Sequence, residues 1–358
     1  MNAIPDPSPL PTAARCIVSV IIKSLNEEKS ICAAIESSLA AVRDLGGEVI
    51  LADSHSTDRT VELASRYPIR VVQLLDPHDR CRGASPQLGY QHARGDYLYL
   101  LDGDMQLVPG FLVKALAFLA QHPEAAGVGG RVVELNTGSV EYRQRGLSSA
   151  AHLSPGQVDR LEGGGLYRRR AIHEAGYLSD RNLHSCEEFD LAVRVRSLGW
   201  KLWRIPVDAA THYGDDAPPY QRLMRRWRSG DLCGPGELLH AAAGQPRLRL
   251  VLRGLGELRV YFAVLAWWCI LLSIPFWALP LAARLACLGV LAAGPWLLTM
   301  WRKRSAARAS YCVVSWCFNT AGLVRGLLHA RRPPGAAIDS RVLHEPPQAS
   351  ASPREHYA

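Results

Sequence analysis

Four times within its first 121 residues the chain runs from an apolar stretch through a polar cluster into a segment with helical patterning. Residues 17–22 read as a buried strand that ends at Lys23-Ser24-Leu25-Asn26-Glu27-Glu28, with helical periodicity after it. Residues 48–52 deliver Asp53-Ser54-His55-Ser56-Thr57-Asp58, and Thr60 opens the next helix. Residues 70–75 make a third strand and lead to a helix through residues 88–93. Residues 97–101 then run into Asp102-Gly103-Asp104, with a helix over 110–121. Such alternation implies an α/β domain whose central sheet is mostly parallel, with right-handed crossovers placing helices on both faces. Polar groups at successive strand ends then collect along the carboxyl edge, where open α/β sheets bind ligands.

Asp102-Gly103-Asp104 gives that edge a chemistry. Two carboxylates one glycine apart form a hard oxygen site suited to Mg²⁺ or Mn²⁺, and such ions clamp phosphate oxygens. A diphosphate substrate follows. Taken singly, Asp-Gly-Asp is also ordinary turn chemistry; its place in the ordered set of strand ends is what gives it weight. Neither G-x-G-x-x-G nor G-x-x-x-x-G-K-[ST] occurs, so a nucleotide must be held by side chains and a metal. The segment from Lys23 to Glu28 has no glycine, which argues against nucleotidyl transfer.

Over about residues 16–230 the chain resembles the family 2 glycosyltransferases, which have the GT-A fold. The resemblance implies a donor site built from Lys23, Asn26, Glu27, Asp53, Ser54, Asp58, Asp102 and Gly103, with Asp53 reading the base and uridine favoured. It implies a metal on Asp104 and Asp102, with His212 as a further ligand. Gly163-Gly164-Gly165, with Arg168-Arg169, matches the acceptor-side motif. Glu187-Glu188-Phe189-Asp190-Leu191 matches the base-bearing motif, with Glu188 where the family carries Asp. The implied reaction is one in-line displacement with inversion, Glu188 taking the acceptor proton and Glu187 standing as the alternative base. Plainer readings exist for several of these residues. Asp58 could be a carboxylate favoured at a helix start, Asp53 a turn cap, the three glycines a flexible loop, and His212 a polar surface residue. Asp190 suits an ion pair on an amphipathic helix with Arg194 or Arg196.

The 48% hydrophobic content is unevenly spread. Residues 1–15, rich in proline, read as a disordered arm without the pattern of a signal peptide. Residues 260–279 carry no charge and are long enough to span a bilayer; residues 285–301 form a second, shorter candidate. Arg247, Arg249, Arg253 and Arg259 precede the pair and Arg302-Lys303-Arg304 follow it, so the pair should form a hairpin with both flanks in the cytoplasm. A pair of buried helices in a soluble domain is the alternative. Residues 311–328 contain Asn319 and Arg325, leaving open whether they span or lie in the interface. Residues 333–358 read as a disordered tail. These limits give an arm (1–15), a catalytic domain (16–230), a helical membrane region (231–332) and a tail.

The net charge of +8 gathers partly at Arg222, Arg225, Arg226 and Arg228 around Trp227. This suits anionic membrane lipids or a lipid diphosphate acceptor better than nucleic acid. Arg226 and Trp227 are candidate acceptor contacts, by similarity to the Q-x-x-R-W motif of processive synthases. Here four residues rather than two separate Gln221 from Arg226, which argues against processive polymerisation. The nine cysteines show no C-x-x-C pair and no spacing suited to zinc. The expectation is a membrane-anchored, cytoplasm-facing, inverting glycosyltransferase that moves a sugar from a nucleotide-diphosphate donor to a lipid-linked saccharide in cell-surface or exopolysaccharide assembly. Transfer to polyprenyl phosphate is the nearest alternative, and a noncatalytic nucleotide-sugar-binding scaffold the most distant.

Overall fold

The computed structural model describes residues 16–135, 154–214 and 217–346. Its first half consists of β1 (Val18–Ser24), α1 (Ile31–Val42), β2 (Glu48–Asp53), α2 (Thr60–Ala64), β3 (Arg70–Leu74), α3 (Ala84–His92) and β4 (Tyr97–Asp102). Strands β3, β2, β1 and β4 lie side by side and parallel. Their side chains divide with the two-residue period of a strand. Val18, Val20, Ile22, Leu51 and Tyr99 pack with Ile31 and Ile35 of α1, whereas Ile21, Ile50, Leu98 and Leu100 pack with Ala84 and Leu88 of α3. A strand buried on both faces reads as a near-continuous apolar run, which is why residues 17–22 and 97–101 are legible.

The sheet becomes mixed beyond β4. β5 (Met105–Leu107), α4 (Phe111–Gln121), β6 (Ala125–Glu134), β7 (Gly156–Val158), β8 (Leu166–Arg168), α5 (Arg169–Glu174), α6 (Glu187–Ser197) and β9 (Lys201–His212) follow. With a last strand, β10 (Ser340–His344), the spatial order is β10-β3-β2-β1-β4-β8-β6-β9-β5, with β7 on β9. β8 runs antiparallel to both β4 and β6, and β9 is parallel to β6. Two features of this order build the site. Lys23 of β1 is in register with Asp102 of β4, and Glu134 of β6 with His212 of β9.

Helices dominate the remainder: α7 (Pro219–Ser229), α8 (Gly234–Ala242), α9 (Leu248–Gly254), α10 (Leu258–Ser273), α11 (Leu281–Lys303) and α12 (Ala306–Leu327). The first apolar span ends at Phe276, where Trp277 to Pro280 form the hairpin tip, and α11 is one helix from Leu281 that contains Pro295. The third apolar stretch is a packed scaffold helix. A Cβ on Gly322 or Gly326 of α12 would collide with the carbonyls of Leu232 and Cys233, so only glycine permits this approach to the segment entering α8. Leu323 joins Val193, Leu238, Val251 and Leu258 in a core that fastens the helical region to α6.

The expected disordered tail is corrected by β10 (Ser340–His344), which pairs antiparallel with β3 and covers that edge of the sheet. Composition misleads here because the anchors are few and local. Ile338 is buried, its N–H donates to Gln91 Oε1 at 2.8 Å, and its carbonyl accepts from Gln91 Nε2 at 3.2 Å. The expected N-terminal arm and the last part of the tail, residues 347–358, lie outside the described residues.

Candidate active site

Lys23 occupies the centre of the carboxyl edge because β1 is flanked by β2 and β4. Its ammonium lies 2.8 Å from Asp102 Oδ1, 3.6 Å from Glu188 Oε1 and 3.9 Å from Glu187 Oε1. Burial alone would lower the Lys23 pKa, but Asp102, Glu188 and Glu187 outweigh it and hold the group well above the ordinary lysine value. Burial likewise opposes the charge on Asp102, where Lys23, then Arg82 and His212, keep the carboxyl below its usual range. Lys23 is therefore an ion-pair hub that joins the D-x-D strand to the base-bearing helix.

Glu188 lies in the first turn of α6, and its carboxylate reaches back to the glycine loop. The N–H of Gly163 donates to Oε2 at 3.1 Å, and that of Gly164 to Oε1 at 3.3 Å. Both glycines have positive φ, 77° and 92°, and a Cβ on Gly164 would strike the Leu100 carbonyl. The loop is thus required in this shape, and it orients Glu188. Burial first, with Glu187 and Asp102 adding repulsion, raises the Glu188 pKa to about 7 despite Lys23. A carboxyl group held near neutrality is suited to taking and returning a proton. Glu187 is also buried, and Asp190 is given to structure through a 2.7 Å bond from Arg194 Nε.

Asp104 and His212 come together at the same edge, with Asp104 Oδ2 3.0 Å from His212 Nε2. The far ring nitrogen, Nδ1, lies 2.7 Å from Glu134 Oε2. The bond to Asp104 and the carboxylate of Glu134 raise the His212 pKa to about 9 although burial opposes it. A carboxylate on the outer nitrogen of a histidine whose inner nitrogen faces another oxygen is the arrangement that orients metal-bound imidazoles. Asp104 and His212 thus offer adjoining oxygen and nitrogen donors suited to a divalent cation, while Asp102 turns Oδ1 to Lys23. Glu27 lies beside it: burial and then Asp104 raise its pKa to about 7, and a Cβ on Gly103 would come within 2.9 Å of Glu27 Cγ.

Other expected site residues serve the loops around this edge. Asp53 is fully buried, with Oδ2 accepting from the Ser56 N–H and Gln73 Nε2, both at 2.9 Å. Asn26 accepts from the Thr57 N–H at 2.8 Å, and Asp58 accepts from the N–H groups of Glu28 and Thr60 at 3.1 and 3.0 Å. Ser54 is buried and its carbonyl accepts from Arg80 Nε at 2.9 Å. Arg226 is exposed on α7, while Trp227 packs edge-on against Phe318 of α12, 5.4 Å between ring centres, and lies under Arg325. That places Trp227 in a helix contact. Glu134 and Arg82 were not legible as site residues: one ends a strand without a motif, and the other precedes α3 in an unremarkable Cys81-Arg82-Gly83.

Residues 19–184 match the family model described as Glycosyl transferase family 2. The chain carries a glycosyl transferase family 2 domain. Among proteins similar to it is an undecaprenyl-phosphate 4-deoxy-4-formamido-L-arabinose transferase of Pectobacterium carotovorum subsp. carotovorum (strain PC1), 34% identical over 31% of this chain and 36% of the relative. The chain thus spans about a third of the length of that relative. EpsE of Bacillus subtilis (strain 168), named for glycosyl transfer, is 28% identical over 57% of this chain and 75% of its own. In fold, the family 2 domain and its helices are similar to the mannosyltransferase PcManGT from Pyrobaculum calidifontis, solved with GDP-Man and Mn²⁺. The TM-score is 0.56 at 18% identity, with 90% of each chain covered. The architecture is the mixed α/β, GT-A-like fold with two apolar helices towards the C-terminus.

Proposed function

We propose that this chain is a membrane-associated, inverting glycosyltransferase that moves a sugar from a nucleotide-diphosphate donor, UDP-linked by preference, to a hydroxyl of a lipid-linked saccharide. The carrying observation is the single ion-pair network in which Lys23 touches both Asp102 of the D-x-D strand and Glu188 of the base-bearing helix. Donor diphosphate and acceptor hydroxyl would thereby be handled at adjoining points. Glu188, oriented by two backbone N–H groups, takes the acceptor proton as the new glycosidic bond forms and the bond to the leaving diphosphate breaks on the opposite side of the anomeric carbon. Lys23 and Arg82 stand where they oppose charge building on the leaving group. Asp104, with Asp102 and His212, would hold Mg²⁺ or Mn²⁺; when bound, such an ion neutralises charge on the diphosphate. The exposed arginines of α7 and the hairpin flanks support a reading in which the site works at the inner face of the cytoplasmic membrane, against anionic lipid and the lipid-linked acceptor, within cell-surface or exopolysaccharide assembly.

The relatives named for undecaprenyl phosphate favour a second reading, in which a phosphate oxygen is the acceptor. Such an acceptor is already ionised and needs no strong base. The test is nucleoside diphosphate release with native lipid extract, for wild type, Asp104→Ala and EDTA-treated enzyme. Loss of release in the last two supports the metal-dependent reading, and full turnover in EDTA defeats it. Undecaprenyl phosphate supplied as the sole acceptor separates the readings: rapid turnover that survives Glu188→Gln supports the phosphate acceptor.

A further inference from the structure

Away from the D-x-D edge, three segments remote in sequence bring two imidazoles and a carboxylate together. His184 lies in the loop before α6, Glu237 in α8, and His329 two residues past α12. Glu237 is 1% exposed. Its Oε1 lies 2.7 Å from His184 Nδ1 and 2.6 Å from His329 Nδ1, while Oε2 accepts the His184 backbone N–H at 2.8 Å. Among the described residues no guanidinium or ammonium reaches this carboxylate. The neighbouring Arg331 directs one nitrogen to the Glu237 carbonyl and the other to buried Asp180. A carboxylate taken out of water needs positive charge beside it, and here only imidazoles are placed to supply or ligate it.

We propose that His184 Nδ1, Glu237 Oε1 and His329 Nδ1 form a second metal site that takes a divalent transition-metal ion, Zn²⁺ by preference. Two imidazole nitrogens and one carboxylate oxygen are ligands that Zn²⁺ accepts readily and that Mg²⁺, which prefers oxygen and water, does not favour. Binding releases any Nδ1 protons, and tetrahedral bonds of about 2.0–2.1 Å to the metal require each imidazole nitrogen to draw back from Oε1 by roughly 0.7 Å. The side chains of His184 and His329 are 26% and 28% exposed, so the ion has a route in and water can complete the coordination. The intervals of 53 and 92 residues between neighbouring ligands explain why no spacing motif announces the site. Such an ion would fasten the loop three residues before Glu187 to α8 and to the exit from α12.

The test uses the full-length protein in detergent, stripped with chelator and titrated with Zn²⁺ or Co²⁺ in excess Mg²⁺, with metal content measured after gel filtration. Wild type and Asp104→Ala should each retain one equivalent of Zn²⁺. His184→Ala and Glu237→Gln should bind it at least about tenfold more weakly, since even a group that only supports a ligand contributes 10–100-fold. His329→Cys, which keeps a donor in place, should bind Co²⁺ and add a thiolate-to-cobalt charge-transfer band. Wild type that retains no more Zn²⁺ than His184→Ala overturns the proposal, as does retention that is lost in Asp104→Ala and kept in His184→Ala. Should His184→Ala fail to fold, His329→Cys decides: folded protein without the thiolate band overturns the site.

Discussion

Glu188 carries one methylene more than the aspartate its motif usually holds, and that reach lets one carboxylate meet two N–H donors of the glycine loop while facing Lys23. Replacing it with glutamine keeps the shape and removes the basic oxygen. Glu188→Gln should slow transfer to a hydroxyl acceptor by about 10²–10⁴ with donor affinity retained, read by diphosphate release and calorimetry; Glu187→Gln should be milder. Near-normal transfer by Glu188→Gln would remove the base assignment. The pH dependence has a definite sign. A base with a pKa of about 7 is protonated below that value, so kcat should rise with pH up to about 7 and level off above it. The rising limb should vanish from the residual activity of Glu188→Gln. At this scale the D-x-D pair, Lys23 and the base-bearing helix were legible because each sits in a local pattern. The partnership of Glu134 with His212 was not, because it arises from register between β6 and β9. Nor was the inward turn of Asp53, whose neighbours Gln73 and Ser56 claim its oxygens.

Elements were legible where burial is two-sided. β1 and β4 are mostly apolar, buried runs, whereas β10 is a half-exposed edge strand whose anchor, Ile338, is a single apolar side chain before it. The scaffold role of α12 was hidden for a different reason. Apolar content and an internal Arg325 describe a helix that could lie in lipid or on protein; only the position of α8 decides, through glycines that admit backbone contact. Gly326→Leu should therefore overpack the α8–α12 contact and destabilise the fold by about 1–3 kcal/mol or more. Gly289→Leu, on α11 where a Cβ meets nothing within 4 Å, should be nearly neutral. Thermal melts of the two variants in the same detergent check this. Equal melting temperatures would mean that α12 is not held against α8 as described.

For the whole molecule, the proposed membrane attachment rests on two separable forces. The hairpin of 19 and 23 residues is long enough to cross a hydrocarbon layer of about 30 Å. Its outer face is exposed apolar surface, with Leu272 at 72%, Phe276 at 89% and Val290 at 71% exposure. Beside it, Arg225, Arg226, Arg228, Arg249, Arg253 and Arg259 are exposed, as are Arg302, Lys303 and Arg304 at the return end. Cutting the chain at residue 260 would not separate these forces, since α12, His329 and β10 all lie beyond the cut and hold the catalytic domain together. Polar substitution on the hairpin surface does so. With Leu272, Phe276, Leu285, Val290 and Leu298 changed to serine, the hydrophobic contribution falls while the buried anchors Leu258, Tyr261 and Val264 remain in the protein core. Each basic residue near an anionic surface contributes about 1 kcal/mol, and that contribution is screened within a Debye length of about 10 Å at 0.1 M salt. In liposome flotation, wild type should stay bound at 1 M salt. The serine variant should bind anionic vesicles at low salt, leave them at high salt and ignore neutral ones. Flotation of the variant that is equal at both salt concentrations, or equal on neutral and anionic vesicles, would show that the arginines contribute no electrostatic attachment.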